Sequence, residues 1–306
     1  VNKITRHPYE LPLISGGVRR GVLVSYQGGW GDVAPLPGWS LESVNDVLAW
    51  ESPQNVPPSL QSAMEAAQAS SNNFADWPLS HPQIPINALL TGSAEDMIAK
   101  ASSDFQNGCR CFKIKTTSME LAKIRDFTSR LAEITDGICQ FRIDPNRSWT
   151  FDQTLRIAES LAGLPIEYIE EPLATSEQLP DLIAQCPFPV ALDETLREIR
   201  PDGLSALSGA AALVLKPTLM GGFEICSKFV NAGKALGMKS VISACYESGV
   251  GIYALGRFAA SLESLSAVGL DTYSSLEHDL LEERLDFSGF IFNAMAPLPH
   301  VKAQFI

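Results

Sequence analysis

Seven polar side chains recur along the chain at a nearly constant interval, and that interval restricts the fold more than any other feature. Lys115, Asp144, Glu170, Asp193, Lys216, Ser243 and Asp271 are separated in turn by 29, 26, 23, 23, 27 and 28 residues. Each stands at or near the end of a short apolar run, such as Ala-Ala-Leu-Val-Leu at 211–215. One strand, one turn and one helix fill such a step. A (β/α)8 barrel repeats that unit and gathers its chemistry at the C-terminal ends of its strands. Continuous apolar runs also suit parallel strands covered on both faces. The fold expected is therefore α/β, a (β/α)8-type barrel.

The expected barrel strands are 84–90, 111–116, 141–144, 166–170, 190–193, 212–216, 239–243 and 267–271, with helices such as 118–134 and 151–162 between them. In the first of these helices Leu121, Ile124 and Leu131 recur at helical spacing. Residues 1–83 break the rhythm. A strand is expected at 21–26, a Gly- and Pro-rich loop at 30–40, and helices at 41–50 and 59–70, the second capped by Ser59 after Pro57-Pro58. This predicts an α+β capping domain over 1–83 and a catalytic barrel over 84–281, with 282–306 returning to join the cap.

With 45% apolar and 19% charged residues in 306, the chain has the composition of a globular protein and can bury a large core. A net charge of −12 without a basic stretch argues against nucleic acid as a partner. Cys109, Cys111, Cys139, Cys186, Cys226 and Cys245 form no CxxC pair and no zinc spacing, so buried free thiols in a reducing compartment are expected. No stretch reaches transmembrane length, and the start lacks a basic segment leading into an apolar one. The expectation is a cytoplasmic protein without membrane contact. Nothing in the sequence decides its oligomeric state, and a monomer is compatible with it.

Lys113 and Lys115 are two apart on a strand and face one space. Two close ammonium groups depress each other, and bringing a lysine from about 10.4 to ~7.5 corresponds to roughly 4 kcal/mol. Such an amine could take a proton from carbon; the alternative is an exposed edge strand with two solvated lysines. Asp144, Glu170 and Asp193 each end an apolar strand, where an unpaired carboxylate is strongly disfavoured. All-oxygen ligation without His or Cys points to a hard cation, Mg2+ best and Mn2+ as a substitute. A salt-bridge cluster is the other solution. Lys216, on the sixth strand, stands across the barrel from the second, where Lys113 and Lys115 lie.

Lys-x-Lys at 113–115, Asp-x-Asn at 144–146, Glu-Glu-Pro at 170–172, Asp-Glu at 193–194 and Lys-Pro-Thr at 216–218 together resemble the enolase superfamily, specifically its muconate-lactonizing-enzyme subgroup. The resemblance extends from about residue 21 to 281. It implies the modified barrel and N-terminal cap of that superfamily, whose sites pair a lysine or histidine base with Mg2+. It also implies Asp144, Glu170 and Asp193 as metal ligands with Glu171 and Glu194 beside them. Lys115 would be the base, Lys113 its electrostatic partner and Lys216 the opposing cation. Arg142 and Asn146 would support them from behind. The loop 31–38 would cover the site, and backbone donors around Ser243–Tyr246 would receive a remote carboxylate of a small-molecule substrate. Ala244-Cys245 departs from the hydroxyl residues expected there. The reaction implied is a metal-assisted loss of water from a succinyl-bearing hydroxycyclohexadiene carboxylate. Racemisation of N-acylamino acids on the same lysines is the alternative, with dipeptide epimerisation or cycloisomerisation behind it.

Overall fold

The computed structural model describes residues 4–52, 54–264 and 266–305. The chain opens with an antiparallel sheet of β1 (Thr5–Pro12), β2 (Val18–Tyr26) and β3 (Gly29–Val33). Helices α1 (Val44–Ala49) and α2 (Pro58–Ser71) follow. Only β2 was legible in advance; β3 occupies the start of what reads as a loop, because its Gly29 and Gly31 look like turn residues. Their lack of a side chain serves packing instead. A Cβ would meet Ala67 O at 2.0 Å from Gly29 and Ala63 O at 1.9 Å from Gly31, so α2 can lie directly on the strand. Ser59 does not cap α2. The N-cap is Pro57, and Glu42 accepts from the Ser59 backbone N–H at 2.8 Å in its place.

The expected strand 84–90 is broken in two, β4 (Gln83–Pro85) and β5 (Ala88–Leu90). Then α3 (Ala94–Gln106), β6 (Cys111–Lys115), α4 (Ile124–Ile134), β7 (Gln140–Asp144), α5 (Phe151–Ser160), β8 (Ile166–Glu170), α6 (Leu179–Gln185) and β9 (Val190–Leu192) alternate. Between β9 and β10 (Ala212–Leu215) only 3-10 turns intervene. Two further helices, α7 (Pro217–Met220) and α8 (Phe223–Ala235), lead to β11 (Lys239–Ile242) and α9 (Gly249–Ser261). Strands β5 to β11 pair in chain order, all parallel. The eighth position is filled by a segment too short to be a full strand: Val268 bridges Ile86 and Gly269 bridges Ser243, which closes the ring. This is the modified (β/α)8 barrel with an N-terminal capping unit.

Strand alternation divides the barrel into two environments. Phe112, Ile114, Phe141, Ile143 and Ile169 point outward against Ile124, Phe127, Leu131 and Ile157 of the helices. Inside, Tyr168, Ala191, Ala212, Val214 and Val241 fill the middle. In the C-terminal segment β12 (Ile291–Asn293) pairs with β4, Phe292 packs on Tyr253, and Val301 bridges Leu281. The cap meets the C-terminal part through Leu13, which bridges Leu276. Among the described residues no helix is long and apolar enough to cross a membrane.

Buried polar groups join cap to barrel. Glu65 on α2 accepts from the Phe223 and Glu224 backbone N–H groups at 2.6 and 2.9 Å, capping α8, whose own N-cap Gly222 has no side chain. Asp32 on β3 accepts from Tyr9 and from both the backbone and the hydroxyl of Ser248. Glu247 accepts from the Thr218 hydroxyl at 2.6 Å and from the Cys245 N–H. Burial pushes both the Asp32 and Glu247 carboxyls above the ordinary range, although their hydrogen bonds oppose it.

Replacing Glu65 by Ala orphans two N–H groups and should cost about 1 kcal/mol in urea unfolding, with Glu65→Gln falling between. A second expectation concerns pH. A carboxyl raised in the folded state binds its proton more tightly there than in the unfolded chain. Its stabilisation is present below the ordinary value of 4.5 and is lost as pH rises through the folded value. Stability of Glu247→Gln should therefore improve relative to the parent as urea titrations move upward from pH 4.5. Parallel curves would show that Glu247 titrates normally.

Candidate active site

The mouth of the barrel at the strand C-termini brings together six charges from five consecutive strands or the residues that end them. Parallel pairing sets Lys115 opposite Asp144, and alternation places Lys113 one step below on the same face. The Lys113 ammonium lies 2.8 Å from Asp144 and 2.6 Å from Glu170. Lys115 reaches Asp144 at 2.6 Å and Asn146 Oδ1 at the same distance. Across the barrel Lys216 bonds Asp193. An exposed edge strand is thus ruled out for the lysine pair, since β6 lies between β5 and β7. Loop residues that leave these strands sit in the left-handed region, Asn146 at φ 46° and Glu171 at φ 36°. Backbone held so, without glycine, tends to cluster at functional sites.

The electrostatics correct one expectation. Lys113 and Lys216 are not depressed: burial lowers both, but Asp144 and Glu170 beside Lys113, and Asp193 beside Lys216, outweigh it and raise them. The nearest charges are carboxylates, and they dominate the like charge of another lysine. Asp144 is held low, because Lys113 and Lys115 overcome its burial. Glu170 goes the other way, raised by burial and then by the charge of Asp144, with Lys113 opposing. Glu194 is also raised, by burial first and then by Asp193.

Among the described residues the carboxylates are drawn onto the lysines, and no trio of His, Cys, Asp or Glu is gathered tightly enough to hold an ion. The donor set nevertheless suits a hard divalent cation. Asp144, Glu170 and Asp193 sit near enough to raise one another's charge penalty, and all their ligand atoms are oxygen. Buried Glu170 Oε2 has no hydrogen-bond partner, nor has Glu194 Oε2, although buried carboxylate oxygens are normally satisfied. These atoms retain the acceptor capacity that a cation would use.

A cavity of about 410 Å3 opens above the charges. Lys113, Lys115, Asn146, Lys216 and Ser243 line it, with Leu36 and Trp39 from the cap and Cys245 and Tyr246 from the loop after β11. Asp271 lines it too, but its carboxylate is engaged by the Leu89 N–H at 2.8 Å and by Lys100 at 3.1 Å. Arg142 does not reach the cavity. It lies two residues below Asp144 inside the barrel, stacked 5.1 Å over the Tyr168 ring and bonded to Glu167, Asn87 and Ala267 O. Glu171 turns away as well and binds Arg147, Thr195 and the Asp193 N–H. Arg19, Asp32 and Glu247, with Thr218 of the Lys-Pro-Thr motif, brace the cavity wall from behind. Arg19 carries no local sequence signal.

The enolase C-terminal domain-like family matches residues 96–296. An o-succinylbenzoate synthase from Klebsiella pneumoniae is 30% identical over 83% of this chain and 81% of its own. Another from Pectobacterium atrosepticum is 26% identical over 92% and 94%. In fold the chain is similar to the L-Ala-D/L-Glu epimerase from Bacillus subtilis, with a TM-score of 0.86, 18% identity and 97% and 96% of the two chains covered. A muconate lactonizing enzyme from Pseudomonas fluorescens gives 0.86 at 18% identity over 99% and 96%. The two structures share architecture across reactions that differ, whereas the two sequence relatives agree on one. With its lysines and carboxylates at the mouth of such a barrel, this chain belongs to the enolase C-terminal domain-like family and is an enzyme of the enolase superfamily, related to the o-succinylbenzoate synthases.

Proposed function

We propose that the protein is an o-succinylbenzoate synthase, a carbon–oxygen lyase. It would remove water from 2-succinyl-6-hydroxy-2,4-cyclohexadiene-1-carboxylate on the path to menaquinone or phylloquinone, in the cytoplasm. The observation that carries this reading is the pair of lysine-bearing walls facing one carboxylate trio, in a chain that covers most of the length of relatives bearing that name. The proposed division is a cap over 1–83, joined by 282–306, and a catalytic barrel over 84–281.

Asp144, Glu170 and Asp193 would hold Mg2+, or Mn2+ in its place. When bound, the ion supplies positive charge against the negative charge that grows on the substrate carboxylate as the α-proton leaves. Lys115 takes that proton as a neutral amine, having first given up its own. Its terminal nitrogen is partly open to the cavity, and Asn146 Oδ1 fixes its direction. The electrons of the C–H bond form a ring C=C bond, the C–O bond breaks, and the departing hydroxide recovers the proton from Lys115 as water. Base and acid on one face make the elimination syn. Lys113 lies beneath Lys115 and keeps the local field positive, while Lys216 approaches the other ring face, where a cation–π contact favours the aromatic product. The Ser243 hydroxyl would receive the succinyl end; the backbone donors expected beside it are taken, since the N–H groups of Ser243, Ala244 and Cys245 are held by Leu215 O, Gly269 O and Glu247.

Opposed lysines also fit racemisation of N-succinylamino acids, and an epimerase shares the fold. Dipeptide epimerisation is disfavoured, because the eighth segment offers only Asp271, already committed to Lys100 and Leu89.

With Mg2+ present, the cyclohexadiene substrate should be converted to o-succinylbenzoate, EDTA should stop the reaction, and Lys115→Ala should lower turnover by about 10^3-fold or more. Intact metal binding without any conversion would remove the synthase reading. Exchange of the α-proton of N-succinylamino acids in D2O would then identify the racemase.

A further inference from the structure

The cavity has two walls that belong to different parts of the chain. Leu36 and Trp39 come from the cap loop, Cys245 and Tyr246 from the loop after β11. One side chain stands behind both. Arg19, on β2, is 5% exposed and does not line the cavity. Its guanidinium donates to Ala34 O at 2.5 Å and Pro35 O at 2.7 Å, immediately before Leu36. It also donates to Cys245 O at 3.1 Å and Tyr246 O at 3.0 Å. Among the described residues Arg19 forms no ion pair, and every partner is a backbone carbonyl. A guanidinium used this way offers several donors in one rigid plane, a geometry that an ammonium group cannot copy.

The barrel loop needs such a hold. Tyr246 has φ 62°, in the left-handed region where a bulky residue is strained. Strained backbone persists only where its surroundings over-determine it. Here the surroundings are Arg19 on the Cys245 and Tyr246 carbonyls, Glu247 on the Cys245 N–H, and Asp32 on Ser248. With their carbonyls drawn toward Arg19, the two residues are fixed from behind while they form cavity wall.

We infer that Arg19 is a positioning residue that locks the cap loop at 34–39 and the barrel loop at 244–248 into one rigid wall, and so sets how tightly the substrate end remote from the lysines is held. That last clause rests on the synthase reading; the coupling of the two loops does not. Arg19 touches none of the lysine–carboxylate cluster, so its loss acts on binding before it acts on chemistry.

The test compares Arg19→Lys and Arg19→Met with the parent, using Arg20→Met as a control, since Arg20 is a surface partner of Glu10. Amide hydrogen exchange, which needs no substrate, should speed up together in 34–40 and 244–248 in both Arg19 variants and stay unchanged in the control. Arg19→Lys keeps a buried cation and serves if Arg19→Met fails to fold. In turnover, Arg19→Lys should raise KM by ~10-fold with kcat within about threefold, the pattern of lost uniform binding, and Arg19→Met should raise KM further. Exchange that rises in only one loop, or in neither, overturns the lock. Coupled exchange with an unchanged KM overturns the role in substrate binding. If the parent converts no cyclohexadiene substrate, the synthase reading fails, and the exchange result still decides the lock.

Discussion

Six charges share the mouth of this barrel, and their mutual compensation governs the rest of the molecule. A carboxylate or ammonium group taken out of water alone is untenable, and removing one partner of a buried pair is strongly destabilising. Lys113 answers both Asp144 and Glu170, Lys115 answers Asp144, and Lys216 answers Asp193. That arrangement tolerates no slip. Moving β6 by one residue would drive the ammonium groups into the shell of Phe141, Ile143 and Leu131 and turn Phe112 and Ile114 onto the carboxylates. The register of the strands and the chemistry of the site are therefore one constraint seen twice.

The compensation is unequal, which gives the site its character. Asp144 is over-supplied with cations and is held low, while Glu170 is under-supplied and rises. An unpaired carboxylate oxygen on Glu170 remains buried. A cluster built only for stability would be expected to close that gap with a side-chain donor; a gap fitted for a cation is what an electrophilic site requires.

The barrel was readable because its strands end abruptly: an apolar run halts at a charge, and the halts keep time with the β/α unit. Where a residue's role depends on distant partners, the sequence is silent. Arg142, two places before Asp144, reads as a support for the residues at the mouth, yet alternation sends it to the same face at a lower level, where Glu167 and Asn87 take its charge and hydrogen bonds. Arg19 meets Tyr246 across 227 residues of chain. No local period encodes that. Ser59 follows a double proline and looks like a cap, but Glu42 arrives from another segment to do the capping. In the cap the small residues that let α2 settle on β3 are the same ones that disguise β3 as a turn.

The position of Arg142 has a consequence for traffic. The guanidinium, the Tyr168 ring beneath it and the small apolar side chains around them seal the barrel below the charges. The cavity therefore has its floor at the charges, and the cap loop and the barrel loops that form its walls flank the way in and out for substrate and product.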